Sequence, residues 1–288
     1  MKLATFTHED RTAIGAVVDG FIVDFSANAG LPKDMVAFLE AGDAAREAAT
    51  ELLRHSPAAR LPLETVRLEA PVMRPRKFLG LGFAYESHIK EVEHLGMKRP
   101  PHQVWFNKQV TCVNGPYDPI HMPRVSPTLD YEGELAIIIG RRVRHARPEE
   151  ARSIVGGFTI CNDVSVREWQ LRASTATLGK SFDTHGPIGP WICTPDELAD
   201  VHSLRLRTWV NGELRQDGNT SELVYRFGDM LAELSAVFTL EPGDVLTTGS
   251  PAGVGAAQKP PRYLQVGDLC RIEIEGIGHI ENRVIAEP

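Results

Sequence analysis

The sequence predicts a mostly β protein of the α+β class, a β-rich body with a few helices preceded by a small α+β unit. Three observations carry this reading. From Lys77 onward, short apolar runs are broken by Gly and Pro turns, a spacing that suits strands. The segment Asp130-Tyr131-Glu132-Gly133-Glu134-Leu135-Ala136-Ile137-Ile138-Ile139-Gly140 sets acids against a β-branched run that reads as a buried strand. Residues 1 to about 70 combine a hairpin with one long Ala-, Glu- and Leu-rich stretch, which divides the chain into a small N-terminal domain, 1–70, and a main domain, 71–288.

In order, Ala16-Val17-Val18 and Phe21-Ile22-Val23 flank Asp19-Gly20, and a type I′ turn needs positive φ at both central positions, so this is a hairpin. A helix follows over Lys33 to Arg54, interrupted at Gly42 and ended by His55-Ser56-Pro57, with Pro62, Pro71 and Pro75 punctuating the connection. Arg147-Pro148-Glu149-Glu150-Ala151 starts a short helix, with Pro in the first turn and acids at the positive end of the dipole. A second helix is expected over Val164 to Arg172. Asn211-Gly212 is a hairpin turn, Pro242-Gly243-Asp244 and Val266-Gly267-Asp268 each lead into a strand, and Lys259-Pro260-Pro261 is a loop.

At 288 residues, 42% hydrophobic and 24% charged, the composition is that of an ordinary globular protein. A formal net charge of -7 argues against nucleic acid or an anionic membrane surface as the main partner. It leaves room for a small anionic substrate at a local site. The four cysteines are scattered without a C-x-x-C pair, which fits a reducing, cytoplasmic setting and neither a zinc site nor a disulfide framework. The first residues carry no apolar leader, and no run is long enough to span a membrane.

Strand side chains alternate, so a strand extended backward from Ile139 puts Asp130, Glu132 and Glu134 on one face. Carboxylates packed together repel, and a hard divalent cation relieves that cost; a strand end with its acids in water is the plainer alternative. Asp163, at the end of Gly156–Cys161, could complete a three-carboxylate site with Glu132 and Glu134, or cap the following helix. Lys180, in a sparsely charged stretch, could offset an enolate's charge, although a lone lysine is more often at the surface. Its Gly179-Lys180-Ser181 setting is no phosphate loop, because Ser174 stands where the first glycine is required; Gly80-Leu81-Gly82 is no dinucleotide fingerprint, because Tyr85 holds the third glycine position. His88 and Glu91 are three apart and become neighbours if the segment is helical, where the carboxylate would raise the imidazole's basicity; with Lys90, Glu93 and His94 they could equally form a solvated face. Thr247 to Gly255 is a glycine-rich turn suited to an anionic ligand or to a tight corner.

Taken together, Gly82-Phe83-Ala84-Tyr85-Glu86-Ser87-His88 with Glu91, Phe106-Asn107-Lys108, Leu129 to Glu134, Asn162 to Gln170, Lys180-Ser181-Phe182-Asp183, Thr248 to Gly255 and Gly267-Asp268 resemble the fumarylacetoacetate hydrolase family in its bacterial two-part form. The resemblance implies a mixed β-roll or sandwich catalytic domain, a homodimer, and Mg²⁺ or Mn²⁺ on Glu132, Glu134 and Asp163. It places Lys180 beside the metal and His88 with Glu91 on a water-activating lid. Asp130 becomes a supporting residue behind the ligands, and Tyr85, Lys108, Thr248, Gly249 and Ser250 become candidate substrate contacts. Ala84, Ser250 and Glu168 depart from the usual Asn, Thr and Asp. The implied activity is hydrolysis of a C–C bond in a 2-oxo acid of the acylpyruvate or 1,3-dicarbonyl type. The alternatives are a 2-oxo acid decarboxylase or isomerase, and a ligand-binding protein without catalysis.

Overall fold

The computed structural model describes all residues except 56–59, 94, 95 and 97. The strand Gly133–Ile139 is the centre of the molecule, and every residue in it is buried. Its two faces meet different partners. Leu135, Ile137 and Ile139 pack with Leu206, Ile272 and Ile280, whereas Ala136 and Ile138 pack with Phe25, Met35 and Phe38. A strand covered on both faces needs apolar residues at every position, which is why the alternation vanishes from the sequence here.

Around it runs a mixed sheet of twelve strands. Gly133–Ile139 pairs antiparallel with Val155–Asn162 on one side and with Val245–Thr247 on the other, and Val245–Thr247 pairs parallel with Phe78–Gly82. Beyond Val155–Asn162 lies Gly186–Cys193, and there the N-terminal strand Lys2–His8 joins, Leu3 opposite Ile192. The first residues therefore continue the large sheet, and the helix Met35–His55 covers its outer face. A second sheet of five strands, Glu213–Asn219, Arg205–Val210, Leu269–Ile274, Gly278–Ala286 and Ile120–Met122, packs across the inner face. This is the mostly β α+β architecture expected, a sandwich with one helix-covered side.

Local chemistry sets the details. Asp19 and Gly20 take φ of 48° and 78°, and Asn211 and Gly212 take 52° and 80°, the left-handed pairs that a two-residue hairpin turn requires. Gly42, at φ 60° and ψ -132°, breaks the N-terminal helix as expected. The expected helix stop at Ser56-Pro57, like His94, lies outside the described residues. The helix expected over Val164 to Arg172 is corrected: Ser165–Val166 pairs as a strand with Leu129–Asp130, and the helix is only Arg167–Gln170. Val164 and Val166 are wholly buried, and a helix beginning at Val164 would withdraw them from the core. A further helix, Phe227–Val237, sends Phe227, Met230, Leu231 and Leu234 into the core at helical spacing. No described helix is long and apolar enough to cross a membrane.

Candidate active site

The acids meet where two central strands end together. Gly133 lies opposite Asn162 and Glu134 opposite Cys161, and one step further the Asp163 amide donates to the Glu132 carbonyl at 2.9 Å. One ligand atom from each of Glu132, Glu134 and Asp163 lies within 4.8 Å of the others, and all three residues are buried. Asp130 is not among them. The strand does not run back through it as expected, but breaks at Tyr131–Glu132, and Leu129–Asp130 belongs to the separate two-stranded pair.

Two lysines are drawn into this acidic corner. Lys180, 2% exposed, donates to Glu132 Oε2 at 2.6 Å and to Asp163 Oδ2 at 2.5 Å. It ends the short turn Thr177–Lys180, which lies flush on the helix Arg167–Gln170 because Gly179 has no side chain; a Cβ there would stand 2.1 Å from the Gln170 amide nitrogen. Lys108 donates to the other oxygen of Asp163 at 2.7 Å and also to the carbonyls of Lys180 and His185. Arg167 completes the cationic set, with Nη1 2.6 Å from Glu132 and Nε 2.8 Å from Asp130.

This arrangement splits the acids. Burial works against the charged form of Glu132, but the adjacent Arg167 and Lys180 outweigh it and hold its carboxyl well below the usual range. Glu134 goes the opposite way: burial, then the charges of Asp163 and Glu132, push its carboxyl well above it. A buried acid crowded by two others is the electrostatic situation that a divalent cation resolves, and an all-oxygen donor set suits a hard ion.

Across from the acids, His88 and Glu91 lie on the helix Glu86–Val92, with Nδ1 and Oε2 3.0 Å apart. His88 lines the same cavity of about 470 Å³ as Glu132, Glu134, Arg167 and Lys180. Phe83, Phe106 and Val104 form apolar wall, and Leu171, 70% exposed, marks the mouth. Of the five candidate substrate contacts, Ser250 lines this cavity and the other four do not. Tyr85 is buried at the start of the helix Glu86–Val92, Lys108 has its ammonium committed to three acceptors, the Thr248 hydroxyl donates to the Leu135 carbonyl, and the Gly249 amide donates to Glu134 at 2.8 Å. Of those four, Lys108 and Gly249 bond directly to acids of the triad. Sequence reasoning gave no separate role to Arg167, Gln170, Phe83 or Phe106, all on the cavity wall. An arginine four residues after Asp163, within the motif Asn162 to Gln170, was the available signal for the first.

Behind the site, His185 is fully buried, its Nε2 2.8 Å from the His121 carbonyl, and burial pushes its pKa from 6.5 down to about 3. The unfolded chain protonates near 6.5, so below that pH it binds a proton that the folded protein does not. The stability is therefore complete above about pH 6.5 and declines as pH falls toward 3, by up to about 1.4 kcal/mol per pH unit. His185→Gln, which keeps a donor for the His121 carbonyl, should flatten the acid limb in urea melts between pH 7 and 4. An unchanged slope would assign the acid sensitivity to other groups.

A sequence model described as fumarylacetoacetate (FAA) hydrolase C-terminal matches residues 77–285. The mitochondrial oxaloacetate tautomerase of Rattus norvegicus is 39% identical over 294 residues, spanning 99% of this chain and 92% of that protein. A fumarylacetoacetate hydrolase from Exiguobacterium antarcticum superposes with a TM-score of 0.87 at 39% identity, covering all of both chains. A maleylpyruvate hydrolase from a Sphingobium species, solved with manganese(II) and pyruvate, superposes with a TM-score of 0.84 at 33% identity, again over all of both chains.

Proposed function

The chain belongs to the fumarylacetoacetate hydrolase family, and from that premise we propose that it is a divalent-metal enzyme that hydrolyses a C–C bond in a 2-oxo acid of the acylpyruvate type. One observation carries this reading: the His88 imidazole, oriented by Glu91, lines the same cavity as Glu132 and Glu134, two members of the acid triad.

Glu132, Glu134 and Asp163 would hold Mg²⁺ or Mn²⁺, and the residues present fit that ion in donor chemistry, spacing and charge. With all four buried carboxylates ionised, as an ion on Glu134 would require, Asp130, Glu132, Glu134 and Asp163 against Lys108, Arg167 and Lys180 leave one negative charge. A divalent ion turns that into one positive charge, which matches the single carboxylate of an acylpyruvate. When bound, the ion supplies Lewis acidity toward the substrate's oxo group.

The chain's own groups do the rest. His88, held by Glu91, takes the proton from water as it attacks the carbonyl distal to the carboxylate. Lys180 presents positive charge where the departing enolate forms. Its neighbour Phe106, with the ring centroid 4.8 Å from Nζ, keeps that ammonium on a dry wall. Phe83, Val104 and Leu171 receive the acyl end. We propose a homodimer on the same family grounds, a mass that light scattering would check.

The rat relative favours a second reading, tautomerisation of oxaloacetate, in which a proton moves between carbon and oxygen and no water attacks. A panel of acylpyruvates and enol-oxaloacetate, assayed with Mg²⁺, Mn²⁺ and EDTA, separates the two. Hydrolysis releases pyruvate from an acylpyruvate; tautomerisation alone accelerates ketonisation of oxaloacetate and leaves acylpyruvates whole. Turnover unaffected by EDTA would remove the metal from either scheme.

A further inference from the structure

The loop from Gly249 to Gln258 carries the other half of the His88–Glu91 pair's geometry. Glu91 offers Oε2 to His88 and Oε1 to the amide of Gly253, at 2.7 Å. The carbonyl of that same Gly253 accepts from the Tyr131 hydroxyl at 2.8 Å, so the residue that fixes Glu91 is gripped at both ends. Two positions on, Asp130 accepts from the amides of Gly255 and Ala256 at 2.8 and 2.9 Å, and from Tyr131's own amide at 2.9 Å. Its remaining contact, Arg167 at 2.8 Å, reaches Glu132 through Nη1. Backbone shape adds to the grip. Gly253 sits at φ 109°, and a Cβ there would stand 1.9 Å from the Arg215 carbonyl oxygen, so no other residue fits the turn.

Asp130 and Tyr131 are both fully buried, and neither lines the cavity nor belongs to the acid triad. The bond network gives them a different task. We propose that Asp130 and Tyr131 are positioning residues for the His88–Glu91 base: they clamp the 253–256 loop so that the Gly253 amide holds Glu91, and Glu91 holds the imidazole toward the substrate. This rests on His88 serving as the base. It also explains why the chain breaks its strand at Tyr131–Glu132. The residues before the break turn to the loop, and those after it turn to the acids.

Tyr131→Phe is the sharper test, because it deletes one hydroxyl and leaves the ring in the core. On the best substrate of the panel, kcat should fall roughly tenfold, the scale of one lost buried hydrogen bond expressed at the transition state. KM and Mn²⁺ affinity should stay within about twofold, since no ligating or cavity atom is removed. In a His88→Ala background the same substitution should change kcat by less than about twofold, because the group it acts through is gone. Amide exchange of the 250–257 segment should speed up in Tyr131→Phe, a readout that needs no residual activity. Asp130→Asn should speed the same exchange further, and because it also loosens Arg167, which holds Glu132, its Mn²⁺ affinity is expected to fall as well. Equal losses in both backgrounds, or unchanged kcat and unchanged exchange, would overturn the proposal. A His88→Ala enzyme that keeps nearly full activity would instead remove the base on which it rests, and that result is read before the cycle is closed.

Discussion

Glu132→Gln is expected to abolish both turnover and the thermal stabilisation that Mg²⁺ or Mn²⁺ confers. Glu132 is held between two cations, Arg167 at 2.6 Å and Lys180 at 2.6 Å. A glutamine can offer its carbonyl to one of them but must turn an NH₂ toward the other. The acid triad also loses one of its three charges. Removing one partner from a buried charged set costs about 3–5 kcal/mol, which is roughly two to four orders of magnitude if it falls on metal affinity. The fold should survive, because Arg167 keeps Asp130 and Lys180 keeps Asp163. Melting curves with and without Mn²⁺, run beside activity, test this. A variant that keeps its metal-dependent shift and its turnover would remove Glu132 from the ligand set.

What the sequence disclosed depended on how far each signal reached along the chain. The Asp19-Gly20 and Asn211-Gly212 turns were legible because the φ requirement is carried by the two residues themselves. The break at Gly42 was legible for the same reason. Asp163 read as an acid at a strand end because Gly156–Cys161 announces the strand, yet the helix expected after it shrank to Arg167–Gln170. Nothing local says that Val164 and Val166 are needed in the core, or that Ser165 pairs with Asp130. Period-two alternation put Asp130 on the face of Glu132 and Glu134; the break at Tyr131 that redirects it depends on amides more than a hundred residues away, at Gly255 and Ala256.

Lys108 and Lys180 mark the limit. A lysine in sequence is a surface residue by default, and only the fold, which brings both to Asp163, reveals two ammonium groups withdrawn from water. Their roles therefore entered through resemblance, and the geometry sorts them: Lys180 faces the cavity, while Lys108 braces Asp163 from behind. Substrate contacts were the least legible part. Tyr85, Thr248 and Gly249 lie in the matching motifs but are absent from the cavity wall, Gly249 bonding Glu134 instead, whereas Phe83 and Phe106 reach the cavity from positions whose side-chain direction no motif states.

His88→Ala should separate the two chemistries open to this site. If the imidazole takes a proton from attacking water, its loss removes that step and leaves the acids, the lysines and the cavity wall in place. Metal affinity and KM should then stay close to wild type while kcat falls by about 10²–10⁴, the usual contribution of a positioned general base. Glu91 should remain anchored, because its second oxygen keeps the Gly253 amide, so the variant tests the imidazole rather than the loop. Tautomerisation asks for less: a proton moves between the carbon and oxygen of one enol, and other groups on the wall could carry it. The measurement is kcat and KM of His88→Ala on both an acylpyruvate and enol-oxaloacetate, with Mn²⁺ affinity determined separately. A loss confined to the acylpyruvate reaction would mark a hydrolase in which His88 is the water base. A loss under about tenfold on both substrates, well short of a general base's contribution, would leave water attack without its base, and the tautomerase reading would take its place.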